Sequence, residues 1–254
     1  MTTAHSGSGD LSKSLELLWR GKEPAGRGPK PGLSLTAIVA AAVTLADRDG
    51  LAAVSMRNVA TELGVGTMSL YRYLPGKGEL LDLMLDHVEG PPEALAEHRG
   101  KDWRATMEFV ARGSWELYVS HSWLLQVNQS RPILGPNALA GFEFCLAGLD
   151  GLGLTGREKV AMIMALDHYV TGTARRFVNH QQLVRESGIT DEEFWAAQAP
   201  LLEQAMASGR YPELAGLSED AFGMGGAEAL EFGLGPLLDG LQAWLDTRSG
   251  RAAS

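Results

Sequence analysis

The sequence of 254 residues predicts an all-α protein. No stretch keeps the period-two alternation that a half-buried strand requires. Apolar residues instead recur at i, i+3, i+4 and i+7 through most of the chain, the spacing that lines one face of a helix. The densest glycine and proline clusters fall between those stretches, where the chain must turn.

Taken in order, residues 1–32 open on SGSGD and close on PAGRGPKPG, a poor folding segment. Within it LSKSLELLWR (11–20) has room for about two helical turns, with Leu11, Leu15 and Leu18 on one side. From residue 33 the pattern turns firmly helical. Leu35, Ile38, Val39, Ala42, Val43 and Ala46 make one stripe, with Ser34 as N-cap and Gly50 as stop. Met56, Val59, Ala60 and Leu63 make a second stripe after the cap Ser55, ended by Gly64. A short third helix is expected over Thr67–Tyr73, stopped by Pro75, and a fourth from about Lys77 to residue 90. Further helices are expected near 101–120, 136–151, 156–186, 190–208 and 226–247, with loop over 209–226.

Composition sets bounds on function. Apolar residues make up 45% and charged residues 21%, enough for a real core. The longest apolar runs, AIVAAAV and VAMIMAL, fall well short of the roughly 20 residues that span a bilayer. No secretory h-region follows the start, and the single cysteine, Cys145, excludes an internal disulfide framework. A soluble, cytoplasmic protein without a membrane partner is expected. The net charge of −9 is unevenly spread. Residues 1–75 carry eight Lys/Arg and six Asp/Glu, while the rest carry 14 and 25. A basic-leaning head on an acidic body suits a polyanion at one end only.

The segment VATELGVGTMSLYRY (59–73) meets the demands of a helix-turn-helix. A small residue, Ala60, stands where two helices would cross. Gly64 supplies the positive φ that ends the first helix. Val59, Leu63, Val65 and Leu70 fill a small core. Thr67, Met68, Ser69, Tyr71, Arg72 and Tyr73 are then left facing outward. Such hydroxyls, aromatics and a guanidinium can bind phosphates or touch base edges in a major groove. An ordinary helical hairpin with packed tyrosines is the bland alternative.

With these residues in view, positions 34–86 resemble the DNA-binding domain of the tetracycline-repressor (TetR) family. Ala60, Leu63, Gly64, Val65, Leu70, Tyr71, Tyr73, Lys77, Leu80 and Leu81 carry the match. Residues 131–159 and 231–245 look, more loosely, like the regulatory domain of the tetracycline-repressor subgroup. The resemblance implies an N-terminal three-helix helix-turn-helix domain (33–80) and a larger helical effector-binding and dimerisation domain (81–254). It implies a homodimeric repressor released from a palindromic double-stranded DNA operator by a small-molecule effector. By position Thr67, Met68 and Ser69 would meet bases, Tyr71 and Tyr73 phosphates, and Arg72 a guanine. Ser55, besides capping, is a candidate DNA contact; Arg57 would contact base or phosphate, and Lys77 phosphate at a helix N-terminus.

Arg27 and Lys30 precede the first helix of that match. A flexible basic arm over 1–32 would place them in a minor groove; an inert linker is the alternative. Trp103, Trp115, His121, Trp123, Met162, Asp167 and His168 are the candidate effector contacts. Asp167 and His168 interrupt an apolar helix, where a polar ligand or an internal hydrogen bond would have to satisfy them. The helix at 156–186 is apolar on two flanks, one of them marked by Val160, Ile163, Val170 and Phe177. The last helix adds Leu234, Leu237, Leu238, Leu241, Trp244 and Leu245. The resemblance puts these two helices of each subunit in a four-helix dimer seam, with packing inside one chain as the alternative. No H-E-x-x-H, G-x-S-x-G or P-loop motif occurs, and the six histidines are scattered. No enzyme activity, cofactor or metal is therefore expected. A helical ligand-binding module without DNA binding, or an activator, is the alternative; the sign of regulation depends on where the operator lies, and the protein does not encode it.

Overall fold

A computed structural model describes residues 4–21, 33–90, 95, 98–100, 102–218 and 220–252. Arg27 and Lys30 lie outside the described residues. Among those described there are eleven α-helices and no strand; His5 and Asn128 form an isolated parallel bridge. The helices are α1 (Leu11–Arg20), α2 (Leu35–Asp49), α3 (Met56–Glu62), α4 (Thr67–Leu70), α5 (Lys77–Val88) and α6 (Trp103–Ser120). They continue with α7 (Pro136–Gly148), α8 (Gly156–Ser187), α9 (Asp191–Ala207), α10 (Pro212–Ala215) and α11 (Gly226–Ala252). No described helix is long and apolar enough to cross a membrane.

The chain divides into two compact units, Met1–Thr171 and Gly172–Ser254, with the division inside α8. In the first unit α5 packs against both α1 and α2. Ile38, Val39 and Ala42 of α2, Val59 and Ala60 of α3, Leu70 of α4 and Leu80 and Met84 of α5 share one core with Trp123. The caps follow the residues that offer them: Ser34 accepts from Ala37 N, Ser55 from Asn58 N and Asp102 from Ala105 N. Helix α6 packs on α7, and Gly148 lies so close to Thr106 that an added Cβ would stand 2.5 Å from its methyl carbon.

In the second unit Ala174 and Val178 of α8 and Leu230, Leu234, Leu238 and Leu245 of α11 are buried. Helix α9 opens on a capping box between Thr190 and Glu193 and buries none of its residues. Phe194, Trp195 and Phe222 form a run of ring contacts at 5.4 and 6.2 Å on this exposed part.

One expectation fails at the start of the chain. Residues 4–21 are not a flexible arm. Helix α1, capped by Asp10, lies on α5 and buries Ser14 and Leu17. The run preceding it is bonded to α5 and to the segment 128–134. The cause is polar as well as apolar: Leu17 joins the core, and Glu79 and Asp82, buried on α5, take their hydrogen bonds from this strap.

Candidate nucleic-acid interface

The turn between α3 and α4 forms as its residues require. Gly64 sits at φ +64° with no atom near its missing side chain, so glycine is there for the backbone conformation alone. Val65 N donates to Ala60 O at 2.9 Å and closes the turn. Ala60 is 1% exposed and Leu70 is fully buried, which fixes α4 against α3. Helix α4 has a single turn, shorter than the expected 67–73, and the chain continues as turn through Tyr73.

On the outer face Met68 is 76% and Tyr71 46% exposed. Arg72, Arg57 and Lys77 are also exposed, while Thr67, Ser69 and Ser55 are partly so. Among the described residues none of these three cations makes an ion pair, whereas Arg48 on α2 is taken up by Asp49 and Glu62. Unpaired cations beside an exposed apolar residue and a phenol make a surface suited to phosphates and base edges. Ser55 spends its hydroxyl as the α3 cap.

Tyr73 departs from the expected pattern. It is buried, and its hydroxyl donates to Leu33 O at 2.9 Å. It ties the end of the reading segment to the start of α2 rather than facing outward. Burial wins because the last residues before Pro75 turn back into the core with Leu74.

Behind this surface, α5 carries three buried carboxylates, Glu79, Asp82 and Asp86, spaced to share one side of the helix. Asp86 accepts from the backbone N–H groups of Asn137 and Ala138 at the start of α7, at 3.1 and 3.0 Å. Burial raises its pKa, and those two N–H groups partly offset the shift. A second tie runs from α2, where Asp47 Oδ1 accepts from Trp123 Nε1 at 2.8 Å and stands 2.8 Å from His121 Nδ1. The helix-turn-helix is thus held to the following helices by side chains that were not expected to serve it.

The expected effector contacts separate accordingly. Trp123 is fully buried in the core and, with His121, is engaged with Asp47. Trp103, Trp115 and Met162 are buried. Asp167 and His168 are exposed on α8, and Asp167 Oδ1 lies at the long distance of 3.5 Å from both Tyr118 Oη and Thr171 Oγ1. Burial first, then the Asp167 charge, raises the Tyr118 pKa. Nearby Glu89 is pushed up to about 7 by crowding protein and by the carboxylates of Asp86 and Asp167. The residue itself is exposed.

The dimer-seam expectations also divide. Val170, Leu234, Leu238 and Leu245 are buried within the chain, so as they stand they fill its own interior rather than face a partner. Helical spacing is responsible: Met162, Leu166, Val170, Ala174 and Val178 recur every four residues along one buried side of α8. Val160 (39%) and Trp244 (41%) are exposed, and Ile163, Phe177, Leu237 and Leu241 are partly covered.

Comparison with known proteins agrees with this architecture. Residues 38–84 match the model for bacterial regulatory proteins of the tetR family, and residues 96–245 match the tetracyclin repressor-like C-terminal domain. The chain belongs to the TetR family. TetR-family relatives include the HTH-type transcriptional repressor DrrR1 of Streptomyces coeruleorubidus, 53% identical over 253 residues, or 99% of this chain and 93% of that protein. Apo ActR from Streptomyces coelicolor shares the fold at a TM-score of 0.66 and 24% identity, over 87% of this chain and all of that one. ActR in complex with actinorhodin matches at 0.65 and 27%, over 84% and 97%. This TetR-family chain is accordingly a DNA-binding regulator of transcription, and the exposed face of α3 and α4 is its helix-turn-helix surface.

Proposed function

We propose that the protein is a homodimeric repressor, released from a palindromic operator by a small-molecule effector. In this reading residues 33–80 hold the operator, and residues 81–254 bind the effector and the second subunit. The observation that carries the reading is the free outer face of the helix-turn-helix. Arg57, Met68, Tyr71, Arg72 and Lys77 are all exposed there, and the core behind them is bonded through Asp47 and Asp86 to the helices that follow. Thr67 and Ser69 flank Met68 as base contacts, and Tyr71 and Lys77 hold phosphates. DrrR1 supports the repressor sign.

ActR, which binds actinorhodin, supports effector control. The proposed effector site includes Asp167 and His168, with Trp103, Trp115 and Met162 as its supporting wall. The proposed seam uses the uncovered apolar side chains. On α11 these are Phe232 and Trp244, each more than a third exposed. Two reading heads would then meet successive major grooves about 34–36 Å apart. An effector that favours another spacing must weaken operator binding by linkage.

The test is the mass of the protein in solution, alone and on an operator duplex, followed by titration with actinorhodin as a first probe. Two chains per duplex and loss of the complex on titration are expected. A monomer at micromolar concentration, bound singly to DNA, contradicts the dimer. A complex indifferent to actinorhodin excludes that compound as the effector.

A further inference from the structure

The described part of the N-terminal segment is bound at two places at once. On one side it grips α5, the helix that follows the reading segment. Gly7 N donates to Asp82 Oδ1 at 2.9 Å, Asp10 N to Glu79 Oε1 at 2.7 Å and the Ser14 hydroxyl to Asp82 Oδ2 at 2.6 Å. Ser14 is fully buried, and Asp82 is 2% and Glu79 5% exposed. The backbones touch: a Cβ on Gly78 would stand 2.5 Å from Gly9 N, and one on Gly9 would stand 2.5 Å from Glu79 Oε1. On the other side the same strap holds residues 128–134. Ser6 N donates to Asn128 O and Asn128 N to Ala4 O, at 3.1 and 2.9 Å. Ser6 Oγ accepts from Ile133 N at 3.2 Å, and Trp19 Nε1 donates to Leu134 O at 3.2 Å.

We infer that residues 4–20 are an intramolecular brace that couples the reading head to the segment leading into α7. The inference goes beyond the repressor reading and rests on it only in taking α5 to move with the head when DNA is bound. Buried carboxylates gripped by the strap's N–H and O–H groups are costly to separate, so strap and α5 move together. Because the strap is also bonded to Asn128, Ile133 and Leu134, a shift of α5 is passed to the loop before α7. Linkage makes the transfer reciprocal: whatever moves that loop is felt at the head. A DNA-seeking tail would have left Ser14, Glu79 and Asp82 solvated, and they are buried.

Gly78→Ala isolates the brace. Residue 78 is in the first turn of α5, where alanine is at least as compatible with helix as glycine. Its methyl group, however, occupies the place of the Gly9 backbone. The measurement is amide hydrogen exchange on the full chain, first alone and then with the duplex that the wild-type chain selects from a random library. In the wild type, the amides of Gly7 and Asp10 are expected to exchange at least about 100-fold more slowly than in an unstructured chain. In Gly78→Ala they should return to within a few-fold of it while α2 and α5 stay protected. Ser14→Ala should fall between the two.

DNA should alter exchange at 128–134 in the wild type and leave it unaltered in Gly78→Ala. Asn137 and Ala138, held by Asp86, should respond in both. Equal DNA-induced change at 128–134 in both proteins overturns the brace, as does a strap that stays protected in Gly78→Ala. If the wild-type chain selects no duplex, the repressor reading fails, and the DNA-free comparison still decides whether the strap is clamped.

Discussion

Asp47 joins the first helix of the DNA-binding head to the turn after α6, and replacing it with alanine tests that joint. Its Oδ1 is the acceptor for the indole N–H of Trp123, a side chain with no exposed area. Leaving a buried donor unpaired costs about 1–3 kcal/mol. The Asp47 side chain is itself 29% exposed, so water can reach the vacated position, which favours the lower half of that range. The contact with His121, 23% exposed, adds less than about 1 kcal/mol. The sum is about 1–2 kcal/mol, or about 2–8 °C in melting temperature for a chain of this size. Asp47→Asn keeps an acceptor oxygen and should lose less than about 1 kcal/mol. The assay is chemical denaturation of Asp47→Ala, Trp123→Phe and the double variant. The double-mutant cycle should give a coupling of about 1 kcal/mol or more. Additivity within about 0.3 kcal/mol would refute the reasoning, because the two residues would then not share the bond.

Arg72→Ala should weaken operator binding by about 1–3 kcal/mol and relax preference at one base pair, read by selection on the variant. A uniform loss across sequences, with a reduced salt slope, would assign Arg72 to phosphate instead. Tyr73→Phe removes only the bond to Leu33 O, so it should cost about 0.5–1.5 kcal/mol of stability and leave the affinity of the folded protein unchanged. A large affinity loss without a stability loss would return Tyr73 to the DNA face. Glu89 has a folded pKa raised to about 7 from an ordinary 4.5, so the folded state holds its proton more tightly. Its stabilising contribution is therefore fully present below about pH 4.5 and is lost as pH rises through about 7. Glu89→Gln should gain in melting temperature relative to the wild type as pH climbs from 4.5 to 8; a constant difference across that range would contradict the shift.

Helices α2 to α5 were readable because local chemistry and tertiary demand agree there. Ser34 and Ser55 cap as their types predict, and Gly64 takes the positive φ that the turn needs. The strap was not readable as such, because SGSGD has the composition of a tail. A signal nonetheless lies in α5: Leu80, Leu81, Leu83, Met84 and Leu85 leave no wet face for Glu79, Asp82 and Asp86, so these acids had to find donors inside. Tyr73 was misplaced because a helix was extended through 71–73, where the chain turns inward. No sequence rule pairs Trp123 and His121 with an aspartate 74 to 76 residues away, so their tie to Asp47 is not legible in the sequence. At Val170, Leu234, Leu238 and Leu245 apolar periodicity marks a buried face without saying what buries it.

The most direct test of the central claim is selection of bound duplexes from a random DNA library, followed by a salt titration on the winner. A palindromic consensus bound by two chains is predicted, with affinity falling steeply as salt rises and lost when Met68, Tyr71 and Arg72 are replaced together. Folded, effector-free protein that enriches no sequence, or a consensus unchanged by that triple replacement, would contradict the claim that the outer face of α3 and α4 reads the operator.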